Sequence, residues 1–212
     1  MMRRQLLKTI AALGLVVVLP VAAQNAGYTE LSNRVATSDP GKIEVLEFFS
    51  YTCIHCANVN PDAKRWAAKQ GPDVVFKKVP VIFDRRQEPT ARLYYALELT
   101  GDLARLDTAA FDAIHQQKQH MMSDDAVKAW VSKQGVDMKK FEAAYSSFGV
   151  NTKIQQAVTL QKTYNISGTP SFFVNGQYRV ENQHVDSYEK LFKVIDDLVV
   201  KARQPKSRGI RG

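Results

Sequence analysis

Cys53 and Cys56 are the only two cysteines of the 212-residue chain, and Ile54 and His55 separate them. Covalent haem attachment requires a histidine directly after the second cysteine, and Ala57 occupies that position. A zinc site needs about four ligands, and the sequence holds no second cysteine pair. A structural disulfide stays possible, but closing so short a loop constrains the unfolded chain very little. A redox-active pair is therefore the favoured interpretation.

The residues around the pair predict how it is held. Residues 42–50, "KIEVLEFFS", form an apolar run of strand length that suits a central strand covered on both faces. A helix that begins at Cys53 puts the two cysteines at i and i+3, about 5–6 Å apart and within reach of a disulfide. Cys53 would then lie at the helix N-terminus, where unpaired N–H groups favour a thiolate. Cys56, one turn later, would be the more buried, resolving thiol.

The rest of the chain predicts two halves of a sheet with helices between them. Residues 73–83 are a second strand, and the strand–helix–strand order predicts a right-handed crossover with a parallel pair. Pro61 lies inside the helical pattern, so we expect a kink or a break there. Residues 84–163 have the period of helices throughout. Asn175-Gly176 then predicts a hairpin, and an amphipathic helix follows.

The N-terminus has the pattern of a secretory signal peptide. A basic head with Arg3, Arg4 and Lys8 precedes a short apolar stretch that ends in small residues near Ala23 and Gln24. The apolar stretch is shorter than the ~20 residues of a membrane span, so a retained anchor is the alternative. Paired arginines leave Sec and twin-arginine export both open. Residues 1–23 are predicted to be cleaved, which places the mature protein outside the cytoplasm.

The formal net charge of +8 does not predict a nucleic-acid partner. The signal peptide carries three of the basic residues. Five more lie in the predicted tail, residues 201–212: Lys201, Arg203, Lys206, Arg208 and Arg211. The remaining domain has 21 basic against 21 acidic residues, so the basic surface typical of nucleic-acid binding is missing. We expect the tail to be solvated and poorly ordered.

Four segments together resemble the DsbA family of periplasmic thiol:disulfide oxidases in the thioredoxin superfamily: "VLEFFSYTCIHCANVNP", the helical stretch, "AAYSSFGV" and "GTPSFFVNGQYRV". The likeness covers nearly the whole mature chain. It implies an α/β, thioredoxin-like fold (βαβ…ββα) with an inserted all-helical subdomain. The implied boundaries are 24–83 and 164–200 for the thioredoxin-like domain, 84–163 for the insertion, and 201–212 for the tail.

The resemblance also implies roles for the cysteine segment. Cys53 would be the nucleophile that forms a mixed disulfide with the substrate, and Cys56 would resolve or regenerate it. His55 would donate a hydrogen bond or positive charge to the Cys53 thiolate, although it could be an exposed polar residue without a role. Ile54 stands where the family usually has proline, so the exact redox potential stays open.

Pro170 in "SGTPSFF" is implied to be the second half of the site. In thioredoxin-like proteins the corresponding proline is cis and faces the cysteine pair. Thr169 would then offer its backbone to an extended substrate chain, with Ile54 completing the substrate-binding side. An ordinary trans turn proline is the alternative.

Glu47, in the middle of "VLEFF", is costly to bury without a partner or a task. The resemblance implies that it relays a proton for Cys56. Lys78, in the next strand, is its predicted charge partner, and a purely structural Glu47–Lys78 ion pair is the alternative. Phe48, Phe49 and Tyr51 are predicted core or rim residues, and Trp66 and Trp130 are predicted to serve packing.

The predicted function is a monomeric oxidase that introduces disulfide bonds into reduced, exported proteins in the periplasm. It would need no metal, flavin or nucleotide, and a quinone-linked inner-membrane partner of the DsbB type would reoxidise it. A disulfide isomerase or reductase of the DsbC or DsbG type is one alternative, but the chain has no space for their N-terminal dimerisation domain. A chaperone-like peptide-binding module with a structural disulfide is the other.

Overall fold

The computed structural model describes residues 27–181 and 187–204. The predicted signal peptide and the tail beyond residue 204 lie outside these ranges. Within them, none of the helices combines the length and the apolar character that a membrane crossing requires.

Five strands form one mixed sheet in the order β1-β5-β4-β2-β3. Their bounds are Tyr28–Glu30 (β1), Ile43–Phe49 (β2), Val74–Pro80 (β3), Ser171–Val174 (β4) and Tyr178–Val180 (β5). Strand β2 pairs in parallel with β3 and antiparallel with β4, so it is a central strand. Six of its seven residues are buried, which explains the near-continuous apolar run that predicted it.

Helix α1, Ile54–Ala67, connects β2 to β3. Of the kink or break expected at Pro61, the break is absent, because the helix continues through that residue. Proline removes one backbone hydrogen bond from a helix interior. Residues on both sides of it are buried against the rest of the protein, among them Val59, Ala63 and Trp66, and this packing holds the helix together.

The segment predicted as a helical insertion contains a 3-10 turn, Arg85–Gln87, and five α-helices. These are α2 (Glu88–Thr100), α3 (Leu103–His115), α4 (Asp124–Val131), α5 (Met138–Tyr145) and α6 (Phe148–Thr163). One hydrophobic core joins them to the sheet, with Phe49 and Phe173 of the strands beside Phe111 and Trp130 of the helices. The helices therefore share a core with the strands that carry the cysteine segment.

The C-terminal half begins with the predicted hairpin of β4 and β5. Asn175 and Gly176 form its turn with φ values of 54° and 62°, the left-handed conformation that a tight hairpin turn requires. Helix α7, Tyr188–Arg203, follows and packs with Trp66 in a second core. Lys201 and Arg203 belong to this helix, so the predicted tail boundary at residue 201 falls inside it. Arg203 makes an ion pair with Asp73.

Strand β1 was not predicted. It is a three-residue edge strand that pairs with β5, and "YTE" lacks the apolar alternation that marks a strand in the sequence. The chain after it stays against the hairpin, because the Val35 N–H donates to the Gly176 carbonyl at 2.8 Å.

Candidate active site

The cysteine pair stands where β2 leads into α1. Cys53 is the N-cap residue of α1, so the helix starts one position after the predicted start, and the Cys53 carbonyl accepts the Ala57 N–H at 3.1 Å. Both cysteines are thiols; Cys53 is half-buried and Cys56 fully buried. A substrate can therefore reach Cys53 but not Cys56.

The two thiols have opposite pKa shifts. The pKa of Cys53 falls to about 5, chiefly because its sulfur accepts a hydrogen bond from Cys56. The Thr169 side chain and the N–H groups of Cys56 and His55 lower it further, whereas partial burial opposes them. Burial is the main cause that raises the pKa of Cys56, and its hydrogen bond to Cys53 and the nearby Glu47 charge add to this. At neutral pH Cys53 is a thiolate and Cys56 a thiol.

The loop before β4 faces this pair. The Thr169–Pro170 peptide bond is cis, as predicted, and the Thr169 carbonyl oxygen lies 3.3 Å from the Cys53 sulfur. Residues far apart in sequence thus meet at the reactive sulfur, with Thr169 on one side and the first turn of α1 on the other.

The two residues between the cysteines are both exposed at the entrance to the site. Ile54 leaves 45% of its surface open to solvent, so a bound substrate could contact it. His55 is exposed as well, and its backbone N–H is one of the groups that favour the Cys53 thiolate. The predicted contribution of its imidazole stays a prediction.

Glu47 lies behind the cysteines with no exposed surface. Neither carboxylate oxygen has a hydrogen-bond partner among the described residues. Burial raises the pKa of Glu47 to about 7; Lys78 lowers it, and the charges of Asp107 and Cys53 raise it.

The predicted ion pair between Glu47 and Lys78 is not formed. The Lys78 ammonium instead donates to both carboxylate oxygens of Asp107 at 3.1 Å, and to Asn60 Oδ1 at 2.8 Å. The Tyr51 hydroxyl also donates to Asp107, at 2.9 Å. A second buried carboxylate therefore binds the lysine that the sequence analysis assigned to Glu47.

Asp107 and Asn60 are the two members of this network that the sequence analysis missed. A signal was available for Asp107, because on α3 it lies one turn before Ala110 and Phe111, which are both buried. A carboxylate on the apolar face of a helix needs a buried partner. Tyr51, predicted as core or rim, is a core residue whose hydroxyl serves the network.

The described residues include no cluster of three or more His, Cys, Asp or Glu side chains that could hold a metal ion. The groups that meet at this site are instead a thiolate, a thiol and an isolated carboxyl group. They can exchange electron pairs between sulfur atoms and move a proton.

The family described as "DSBA-like thioredoxin domain" matches residues 64–193. The chain is also 37% identical over 198 residues to the thiol:disulfide interchange protein DsbA of Bordetella pertussis, covering 92% of this chain and 94% of that protein. The chain belongs to the DsbA family. Since 92% of the chain is covered, the alignment with this DsbA protein includes the cysteine pair.

Solved DsbA structures agree with the fold. The crystal structure of Pseudomonas aeruginosa DsbA superposes with a TM-score of 0.80 at 33% identity, over 84% of this chain and 92% of that one. The oxidoreductase NmDsbA1 of Neisseria meningitidis gives a TM-score of 0.78 at 32% identity, over 85% and 94%. The predicted fold class, a thioredoxin-like α/β fold with additional helices, is thereby confirmed. This DsbA-family chain is a thiol:disulfide oxidoreductase that forms disulfide bonds.

Proposed function

We propose that this protein oxidises reduced, exported proteins through the Cys53–Cys56 pair. A substrate thiolate attacks the Cys53 sulfur of the enzyme disulfide, and Cys56 leaves with the electron pair. A second substrate thiolate then attacks the substrate sulfur of the mixed disulfide and releases the Cys53 thiolate. Two electrons pass from the substrate sulfurs to the enzyme, which ends as a dithiol.

One observation carries this proposal: Cys53, half-exposed at the start of α1, is stabilised as a thiolate. A stable thiolate is a good leaving group, and it makes the reduced enzyme more stable than the disulfide form. That combination produces a strong oxidant, a relation for which DsbA proteins are the standard example.

Glu47 would serve the buried thiol. When Cys56 leaves as a thiolate it has no access to water, and Glu47 would supply the proton. During reoxidation the same carboxylate would accept the Cys56 proton, and the Cys56 sulfur could then attack Cys53. A carboxyl group whose pKa is about 7 can be either acid or base near neutral pH.

Thr169, Pro170 and Ile54 would form the substrate-binding side. An extended substrate chain could pair with the Thr169 backbone, and the exposed Ile54 would contact substrate side chains. Replacing Pro170 with Ala should then slow release and let mixed disulfides accumulate. Absence of trapped complexes on a non-reducing gel would contradict the substrate-facing role.

The cellular setting follows from the reaction. An oxidase of exported proteins would work in the periplasm after removal of the signal peptide near Ala23. It would act as a monomer with the disulfide as its only redox group. A quinone-linked membrane protein of the DsbB type would return it to the disulfide form. Sec or twin-arginine export would deliver it.

The test is oxidative refolding of a reduced protein with several disulfides, together with the reduction potential of the Cys53–Cys56 pair. The proposal expects rapid refolding with stoichiometric enzyme and a potential well above the about −270 mV of thioredoxin. A potential as low as that of thioredoxin would favour a reductase. Refolding that is equally fast with C53S would favour a chaperone-like binding module.

A further inference from the structure

Behind the cysteine pair lie two buried carboxylates, Glu47 and Asp107, and one buried lysine, Lys78, with which either could form an ion pair. Glu47 of β2 and Lys78 of β3 are register partners on neighbouring parallel strands, so both side chains leave the sheet on the same face. The register alone therefore favours a direct Glu47–Lys78 ion pair. Asp107 reaches the same space from α3.

Asp107, and not Glu47, forms the ion pair with Lys78. Both of its oxygens lie 3.1 Å from the Lys78 ammonium, and the two side chains are only 7% and 8% exposed. Tyr51 orients the carboxylate by donating to Oδ1. The ammonium also lies 4.3 Å from the centre of the Phe49 ring, a favourable cation–π distance. Lys78 is thus fixed in one position by several contacts.

Glu47 is buried without a hydrogen-bond partner among the described residues, and several charged groups lie near it. Lys78 of β3, Asp107 of α3 and the two cysteines at the start of α1 interact electrostatically with Glu47. The phenol groups of Tyr94, on α2, and of Tyr51 do so as well. On the neighbouring strand β4, Phe172 is the register partner of Glu47. Since Asp107 already neutralises Lys78, a Glu47 carboxylate would be an unpaired buried charge.

We propose that Asp107 is a positioning residue of the redox reaction: it holds Lys78 in an ion pair and so leaves Glu47 free to exchange a proton with Cys56. This inference rests on the proposed role of Glu47. If Asp107 were absent, Lys78 could turn to Glu47, and a direct ion pair lowers a carboxyl pKa by about one to three units. Glu47 would then stay ionised and would no longer return a proton to Cys56 at neutral pH.

The relevant step is closure of the enzyme disulfide. When Cys53 carries a glutathione sulfur, Glu47 takes the Cys56 proton and the Cys56 sulfur attacks the Cys53 sulfur. The Cys53–glutathione bond breaks, and the glutathione thiolate leaves with its electron pair. The step needs the base form of Glu47, so its rate should rise with pH through the pKa of this carboxyl group.

The experiment measures that step in D107N. Reduced enzyme is mixed with glutathione disulfide, quenched in acid and separated into reduced, mixed-disulfide and oxidised forms across a pH series. In the wild type the closure rate should rise with pH through the pKa of Glu47, which burial raises above that of an ordinary glutamate. In D107N the midpoint should move to lower pH by about one unit or more. An unchanged midpoint in folded D107N would overturn the inference.

The double variant N60D/D107N is the control in case D107N alone does not fold. Asn60 already contacts Lys78 at 2.8 Å, so N60D/D107N supplies the lysine with a carboxylate from α1 instead of α3. This variant should fold and recover the wild-type midpoint even if D107N alone does not fold. A midpoint shifted to lower pH in N60D/D107N would show that holding Lys78 is not what matters.

Variants of Glu47 separate this inference from the proposed function. In the E47Q background, D107N should leave the closure profile unchanged, because Asp107 acts through Glu47. E47Q with the wild-type profile would remove the role of Glu47 and the inference with it. An altered E47Q profile beside an unaltered D107N profile would overturn only the role of Asp107.

Discussion

The Cys53 sulfur lies 3.3 Å from the Thr169 carbonyl oxygen, although 116 residues separate them in the chain. This contact joins the two halves of the thioredoxin-like domain at the reactive atom. It also means that groups from both halves set the charge of Cys53, since the first turn of α1 and the Thr169 side chain each favour the thiolate. The acidity of Cys53 can therefore be changed from either side.

The Cys56 thiol is the largest single cause of that acidity, so its removal should raise the Cys53 pKa. A hydrogen bond to a charged group contributes about 1.5–3 kcal/mol, or about one to two pKa units. We expect C56A to raise the Cys53 pKa from about 5 by this amount. The ultraviolet absorbance of the thiolate, followed against pH, measures it.

C56S is the matched control, because serine keeps a donor at the same place. It should leave the Cys53 pKa lower than C56A does. Equal values in the two variants would mean that the Cys56 hydrogen bond does not stabilise the thiolate.

The Thr169 side chain should have a smaller effect of the same sign. T169V keeps the shape of the residue but removes the hydroxyl group. We expect the Cys53 pKa to rise, but by less than in C56A, because Thr169 is a smaller cause of the lowered pKa than Cys56. T169S retains the hydroxyl group and should stay near the wild type in the same titration. A rise in T169S as large as in T169V would assign the effect to packing.

Glu47 should make the stability of the reduced protein depend on pH. Its pKa is about 7 in the folded state and 4.5 as an ordinary glutamate. Between these values the folded protein holds a proton that the unfolded chain has lost, so the free energy of unfolding falls as pH rises through this window. The full difference is about 3 kcal/mol.

E47Q should remove this dependence. In urea unfolding, the stability of E47Q relative to the wild type should increase by about 3 kcal/mol from below pH 4.5 to above pH 7. Cys53 titrates in both proteins, so the difference retains only the coupling of Cys53 to Glu47. A constant difference across the series would show that Glu47 has an ordinary pKa.

The sequence predicted the elements that carry their own pattern. Strand β2 has a near-continuous apolar run, the hairpin has Asn175-Gly176, and the cysteine spacing marks the start of α1. Strand β1 lacks such a pattern, because its conformation depends on pairing with β5. The break expected at Pro61 did not occur, because the buried faces of α1 outweigh the loss of one hydrogen bond.

The candidate site was predictable only as far as single residues indicate chemistry. Glu47 and Lys78 both stood out, but the choice of Lys78 between two carboxylates depends on how α3 packs against the sheet. That packing is a long-range property, and it also brings Tyr51 to Asp107. The sequence names the charged residues, whereas the tertiary structure determines which of them form pairs.

The turn that anchors the N-terminal segment gives a last prediction, on stability. A Cβ atom at Gly176 would lie 2.0 Å from the Val35 carbonyl oxygen, a backbone atom that cannot move aside cheaply, and φ there is +62°. We expect G176A to lower the free energy of unfolding by about 3 kcal/mol or more, since steric overlap adds to backbone strain.

Gly101 also has a positive φ, +83°, but no atom lies within 4 Å of its added Cβ. G101A should therefore cost only about 1 kcal/mol. Urea unfolding of both variants separates the cost of steric overlap from the cost of backbone strain. Equal decreases in the free energy of unfolding would show that the contact with Val35 contributes nothing.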